Sequence, residues 1–152
     1  MPLVEIRPAR PDEEPAASLV AATVSEMSER YGAEDPAIDP DQFVPPRGAF
    51  LIASLGDEPV GCGGVRVLTP GTAEIKRMFV ATGARRRGVA RALLAALEEA
   101  SLDLGCPTLR LETGLRQPEA IALYQEAGYD RIPNFGYWAG SPEAVCFEKP
   151  LG

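Results

Sequence analysis

The sequence predicts an α+β fold, a sheet with helices packed on it. Three observations predict it. Residues 49–80 hold three β-type runs, "AFLIASL", "VGCGGVRVL" and "AEIKRMFV", separated by the turn stretches "GDEP" and "TPGT". A long helical pattern follows, with Val89, Leu93, Leu97, Ala100 and Leu104 on one face. The chain then returns to strand, helix and strand, so that the order reads β-α-loop-βββ-α-β-α-β. Its 152 residues, 45% of them hydrophobic, suffice for one core, and one domain over 1–152 is expected.

Each element has its own signal. "LVEIR" (3–7) alternates as a short strand. Pro11 and Asp12 open a helical segment with acids in its first turn, and Gly32 closes it. Residues 34–48 carry four prolines and four acids, which predicts a loop or broken helical turns. The three central runs predict an antiparallel meander, and Gly61, Gly63 and Gly64 within one of them predict a bulge or a close approach by another backbone. Gly105 is the stop of the long helix. "TLRLET" (108–113) alternates as a strand, "PEAIALYQEAG" (118–128) reads as a helix with Pro118 in its first turn, and "EAVCFEK" (143–149) is the last strand. Between them, residues 130–142 form a loop bearing Phe135, Tyr137 and Trp138.

Composition excludes several kinds of chemistry. The chain has no histidine, which removes the usual general base and every Ser-His-Asp or Cys-His arrangement. Cys62, Cys106 and Cys146 are odd in number and in no CxxC spacing, so they predict buried, reduced thiols and no metal site. A net charge of -7 argues against nucleic acid as a partner. No apolar run is long enough for a membrane span or a signal peptide, so a cytoplasmic protein without a membrane partner is expected. The negative charge is concentrated: residues 1–42 hold ten acids against three bases, and the rest of the chain balances twelve against twelve.

The stretch "RRRGVARALLAALEEA" (85–100) sets Arg85, Arg86 and Arg87 at the front of a helix. The positive end of the helix dipole disfavours cations there, and a bound anion reverses that sign. Gly88 and the small Ala90 leave backbone N–H groups open to phosphate oxygens. Neither GxxxxGK[ST] nor GxGxxG occurs, which sets aside the nucleotide loops those motifs mark.

"RRRGVA" (85–90) resembles the R-x-x-G-x-G/A pyrophosphate signature of the GNAT superfamily of acyl-coenzyme A-dependent N-acyltransferases. The resemblance extends through "AEIKRMFV", "LETGLRQPEAIALYQEAGY" and "GYWAGSPEAVCFEKPL", and spans roughly residues 3–150. It implies a mixed, twisted sheet of about six to seven strands flanked by about four helices, with the fourth and fifth strands splayed apart. It also implies acetyl-CoA as cosubstrate, without a metal. Met78, Phe79 and Val80 would line its pantetheine arm, with the Met78 N–H facing the thioester oxygen. Arg87, Gly88, Val89 and Ala90 would take the pyrophosphate through their N–H groups, and the side chains of Arg85 and Arg86 would reach phosphate oxygens or solvent. Gln117 stands where the family often has asparagine, which weakens a side-chain contact to the cofactor there.

The implied reaction is attack of an amine on the thioester. Tyr124 matches the family's tyrosine, where the phenol donates to the departing thiolate. Glu74, four residues before Met78 and so on the same face by strand period, is the candidate base; Glu112 on the neighbouring strand is the next. The acceptor would be the primary amine of a small molecule. Glu34, Asp35, Asp39 and Asp41, in a loop expected to line the acceptor side, would favour a cationic one. The alternatives are a protein N-terminal or lysine acetyltransferase and a non-catalytic acyl-CoA sensor. Family members are often homodimers.

Overall fold

The computed structural model describes residues 3–32, 36–85 and 88–152. In chain order the elements are β1 (Val4–Pro8), α1 (Ala16–Tyr31), β2 (Gly48–Leu55), β3 (Glu58–Thr69), β4 (Thr72–Val80), α2 (Val89–Asp103), β5 (Thr108–Gly114), α3 (Pro118–Glu126), β6 (Asp130–Ile132) and β7 (Ala144–Pro150). Two short 3-10 turns, Pro40–Phe43 and Thr82–Ala84, join them. Among the described residues there are thus three α-helices, against the four or so expected. Helix α1 begins later than its acids suggested, at Ala16, because Pro15 lacks an N–H and fits only at the helix start. Glu14 still serves that end, accepting from the N–H and hydroxyl of Ser18 at 2.8 and 2.6 Å.

One sheet runs β1-β2-β3-β4-β5-β7-β6. The meander β1 to β4 is antiparallel, as the turn spacing predicts. β4 and β5 are parallel and pair at only three positions, Thr72 with Thr108, Ala73 with Leu109 and Glu74 with Arg110. Beyond these, β4 continues to Val80 and β5 to Gly114 with no ladder between them, which is the splay. β6 lies in the stretch read as an aromatic loop and exists through its pairing with β7.

The sheet separates two apolar layers. On one face α2 and α3 bury Leu93, Leu97 and Tyr124 against Val65, Ile75, Leu109, Leu111 and Phe147. On the other, Ala16 and the half-buried Leu19 and Val20 of α1 join Phe43, Phe50, Ile52 and Cys62. The strand glycines have the reason their sequence suggested. A Cβ on Gly63 would stand 2.9 Å from Leu97, and one on Gly64 would meet Phe43 at 2.6 Å. The bulge is also present: Cys62 faces Phe79 and Gly64 faces Lys76, so Arg77 and Met78 together oppose Gly63. Arg77 takes the left-handed φ of 55° that the extra residue requires. All three cysteines are free and buried, and burial pushes the Cys62 thiol up to about 12.

No helix among the described residues is long and apolar enough to cross a membrane.

Candidate active site

The bulge decides which residues meet. It flips the alternation of β4, so Met78 and Val80 join Ala73 and Ile75 in the layer under α2 and α3, while Phe79 turns to the α1 face. The strict two-residue period that put Glu74 and Met78 on one face fails here. Glu74 lies on the α1 face and Met78 under α3.

Met78 there meets Tyr124. Tyr124 projects from α3 into the core, 7% exposed, and its hydroxyl donates to Met78 Sδ at 3.6 Å. Its ring packs edge-on to Tyr129 with centroids 5.8 Å apart. Burial raises the phenol above the ordinary tyrosine value, so it holds its proton throughout the neutral and mildly alkaline range. A thioether is a weak acceptor, which leaves the hydroxyl available to a better one.

Glu74 is buried and occupied. Its Oε1 accepts from Arg66 Nε at 3.0 Å, and its Oε2 lies 3.6 Å from Lys76 Nζ. Arg66 also donates to Gln42 Oε1 at 2.7 Å, which fixes the guanidinium. The carboxylate thus sits between two cationic side chains.

Glu112 occupies the same face two positions further along the splayed β5, opposite Cys146 of β7. It lines a cavity of about 250 Å³ with Met27 and Tyr31 of α1, Gln117 at the start of α3, and Trp138 and Glu143 of the loop before β7. Tyr31 organises the wall. Its hydroxyl accepts from Arg116 N at 3.1 Å and from Gln117 Nε2 at 3.2 Å. The absence of a Cβ at Gly114 makes room for that hydroxyl. Thr113, the next residue of β5, buries a hydroxyl oxygen with no hydrogen-bond partner among the described residues. Glu143 is held by Arg116 Nε at 2.6 Å. The Cys146 thiol is pushed up by burial first, with the carboxylates of Glu112 and Glu74 adding to it.

The helix end behind the splay has the features an anion requires. Gly88 caps α2 with φ 79°, makes no side-chain bond to the helix, and is followed by a first turn without an acidic residue. A Cβ at Gly88 would have nothing within 4 Å, so the approach to the Val89 and Ala90 N–H groups is open. Arg85 points elsewhere than expected: it donates to Val80 O at 2.9 Å and to Glu26 of α1 at 2.8 and 3.0 Å. Gln117 likewise spends its amide on Tyr31. Arg86 and Arg87 lie outside the described residues, as do Glu34 and Asp35 of the acidic loop. In that loop Asp39 accepts from Asp41 N at 3.0 Å, and Asp41 accepts from Arg10 at 3.1 Å; neither lines the cavity.

Three features of this wall were missed in the sequence. Trp138 was visible as part of an aromatic loop without a role, whereas Tyr31 and Glu143 carry no local signal; they reach the cavity only through the packing of α1 and of the final loop on β5.

Comparison with known proteins agrees with this geometry. Residues 16–129 match the acetyltransferase (GNAT) family. The IAA acetyltransferase of Azospirillum brasilense is 35% identical over 154 residues, which covers 99% of this chain and all of that protein. A crystal structure from Klebsiella pneumoniae, provisionally assigned as an acyl-CoA N-acyltransferase, superposes with a TM-score of 0.84 at 33% identity over 99% of both chains. A GNAT family acetyltransferase from Elizabethkingia anophelis, solved with acetyl-CoA bound, shares the fold at a TM-score of 0.71 and 18% identity, over 97% of this chain and 98% of that one. Splayed strands, a glycine-capped helix behind them and a full-length relative converge on one assignment: the chain belongs to the GNAT family of acetyltransferases, acyltransferases that use acetyl-CoA.

Proposed function

We propose that the protein transfers the acetyl group of acetyl-CoA to the primary amine of a small molecule. The observation that carries this reading is the gap between β4 and β5, with the protonated Tyr124 on one side of the sheet and a cavity lined by the Glu112 carboxylate on the other. Acetyl-CoA supplies an activated acyl thioester. The open Gly88 cap fits its pyrophosphate, held by the N–H groups of Gly88, Val89 and Ala90, with Arg86 and Arg87 adjoining in sequence. The unladdered edge at Met78, Phe79 and Val80 fits the pantetheine arm. Arg85 contributes by anchoring this turn to α1 rather than by reaching outward.

Two proton tasks then fall to residues of this chain. Tyr124 holds a proton at Oη, on the layer shared with Met78, for the sulfur that departs. Glu112, which lines the cavity, takes the proton from the amine, directly or through water. The acetyl transfer named for the Azospirillum relative supports the reaction class, and the small volume of the cavity favours a free amine over a protein segment. The test is thiol release from acetyl-CoA with a panel of amines, the amide product identified by mass spectrometry. Amine-dependent release is expected; acetyl-CoA binding without turnover on any amine would return the protein to the acyl-CoA sensors.

A further inference from the structure

Resting on amine acetylation at this site, we propose that Arg116 is a positioning residue: with Arg30 it forms a clasp across the splay that holds the two walls of the acceptor cavity at a fixed separation. The walls belong to different halves of the sheet. Met27 and Tyr31 ride on α1, which packs on β3 and β4, whereas Gly114, Gln117, Trp138 and Ser141 ride on β5, α3 and the loop before β7. The β4–β5 ladder ends at Glu74 and Arg110, so beyond it no strand pairing among the described residues sets the distance between the halves. Side chains must set it.

Arg30 and Arg116 exchange hydrogen bonds across 86 residues of sequence. Arg30 Nη1 donates to Arg116 O at 2.9 Å, and Arg116 Nη1 donates to Arg30 O at 2.8 Å. Arg30 O lies in the last turn of α1, where a helix leaves carbonyls without intrahelical partners and its dipole favours a cation. The same Arg116 guanidinium reaches Glu143 Oε1 through Nε at 2.6 Å and lies 5.8 Å from the centroid of the Tyr31 ring. It thus grips α1 and the final loop at once, from outside the cavity lining. Arg30 completes the grip by pairing with Glu119 in the first turn of α3 at 2.7 Å. Donation in two directions from one side chain suits a planar guanidinium, and an ammonium does not reproduce it. The Arg116 side chain is 57% exposed, so its ion pair adds little to overall stability and its effect is local.

The test compares Arg116→Ala, Arg116→Lys and Arg30→Ala in the intact protein, with the best acceptor of the amine panel. A reacting group misplaced by about 1 Å loses up to about a hundredfold in rate, so Arg116→Ala should lose about tenfold or more in kcat/KM for the amine. Acetyl-CoA affinity by calorimetry should stay within about twofold, and Tm should fall by only a few degrees. Arg116→Lys should recover little, because its ammonium reaches Glu143 or Arg30 O but not both; it also carries the test if the alanine variant does not fold. Since the two arginines form one clasp, Arg30→Ala combined with Arg116→Ala should lose no more than the larger single loss. Unchanged amine kcat/KM in a folded Arg116 variant, full recovery by lysine, a matching loss of acetyl-CoA affinity, or losses that multiply in the double variant would overturn the inference while amine acetylation stands. Unsubstituted protein that binds acetyl-CoA and turns over no amine would overturn both.

Discussion

Replacing Tyr124 by phenylalanine removes one oxygen from a buried site and nothing else. Among the described residues the hydroxyl's one hydrogen bond is a 3.6 Å donation to a methionine sulfur, so its loss should cost at most about 1 kcal/mol of stability, or roughly 2–4 °C in Tm for a chain of this size. Its role as proton donor predicts a much larger kinetic effect. A positioned acid contributes about a hundredfold or more, equivalent to about 2.7 kcal/mol of barrier, and this should appear in kcat with KM for acetyl-CoA unchanged. The neighbouring Tyr129 provides the matched control. Its hydroxyl donates to Glu98 at 2.8 Å, a charge-assisted bond, and Lys149 stays 3.1 Å from the same carboxylate when the hydroxyl is gone. Tyr129→Phe should therefore cost about 1–2 kcal/mol of stability and leave kcat intact. Thermal unfolding and thiol release on both variants separate the two roles. A Tyr124→Phe enzyme of full activity, or a pair of variants that lose activity only in proportion to stability, would refute the assignment.

Other consequences follow from the same contacts. Gly88→Val forces a branched residue into a left-handed cap but meets no neighbour, so the protein should fold with a stability loss of about 1–2 kcal/mol and lose at least about tenfold in acetyl-CoA affinity by calorimetry. Glu74→Gln leaves Arg66 and Lys76 without their shared anion; both are partly exposed and can rehydrate, so unfolding should show a loss of about 1–3 kcal/mol. Glu112→Gln should lower kcat in the thiol-release assay by about a hundredfold, the scale of a positioned base. Tyr124 and Tyr129 both have raised pKa values in the fold, so the stability they contribute is complete below the unfolded tyrosine value. It should fall as pH rises beyond about 10, by up to about 1.4 kcal/mol per pH unit for each, in urea titrations at alkaline pH.

Much of the framework was legible because it is written locally. Turn residues at 56–59 and 69–72 and the alternation between them define the meander, and the glycine at 105 ends α2 where the apolar stripe ends. The three-residue β6 was not legible, since Asp130, Arg131 and Ile132 have no alternation to show and become a strand only against β7. The bulge was half legible. Its glycines on β3 announced it, yet its effect falls on β4, where Arg77 turns left-handed without a sequence signature and reverses the facing of everything after it. That reversal separates Glu74 from Met78. Arg85 shows the same limit, because its partner Glu26 is 59 residues away and no spacing rule connects them. The acceptor wall is less legible still, being assembled from α1, β5, α3 and the last loop.

The measurement that tests the central claim most directly is the balance of products when acetyl-CoA and the best acceptor amine of the panel are supplied together. Free thiol and N-acetylated amine should appear in equal amounts, and both should vanish when either substrate is left out. Thiol released without amide, or at a rate indifferent to the amine, would contradict the account.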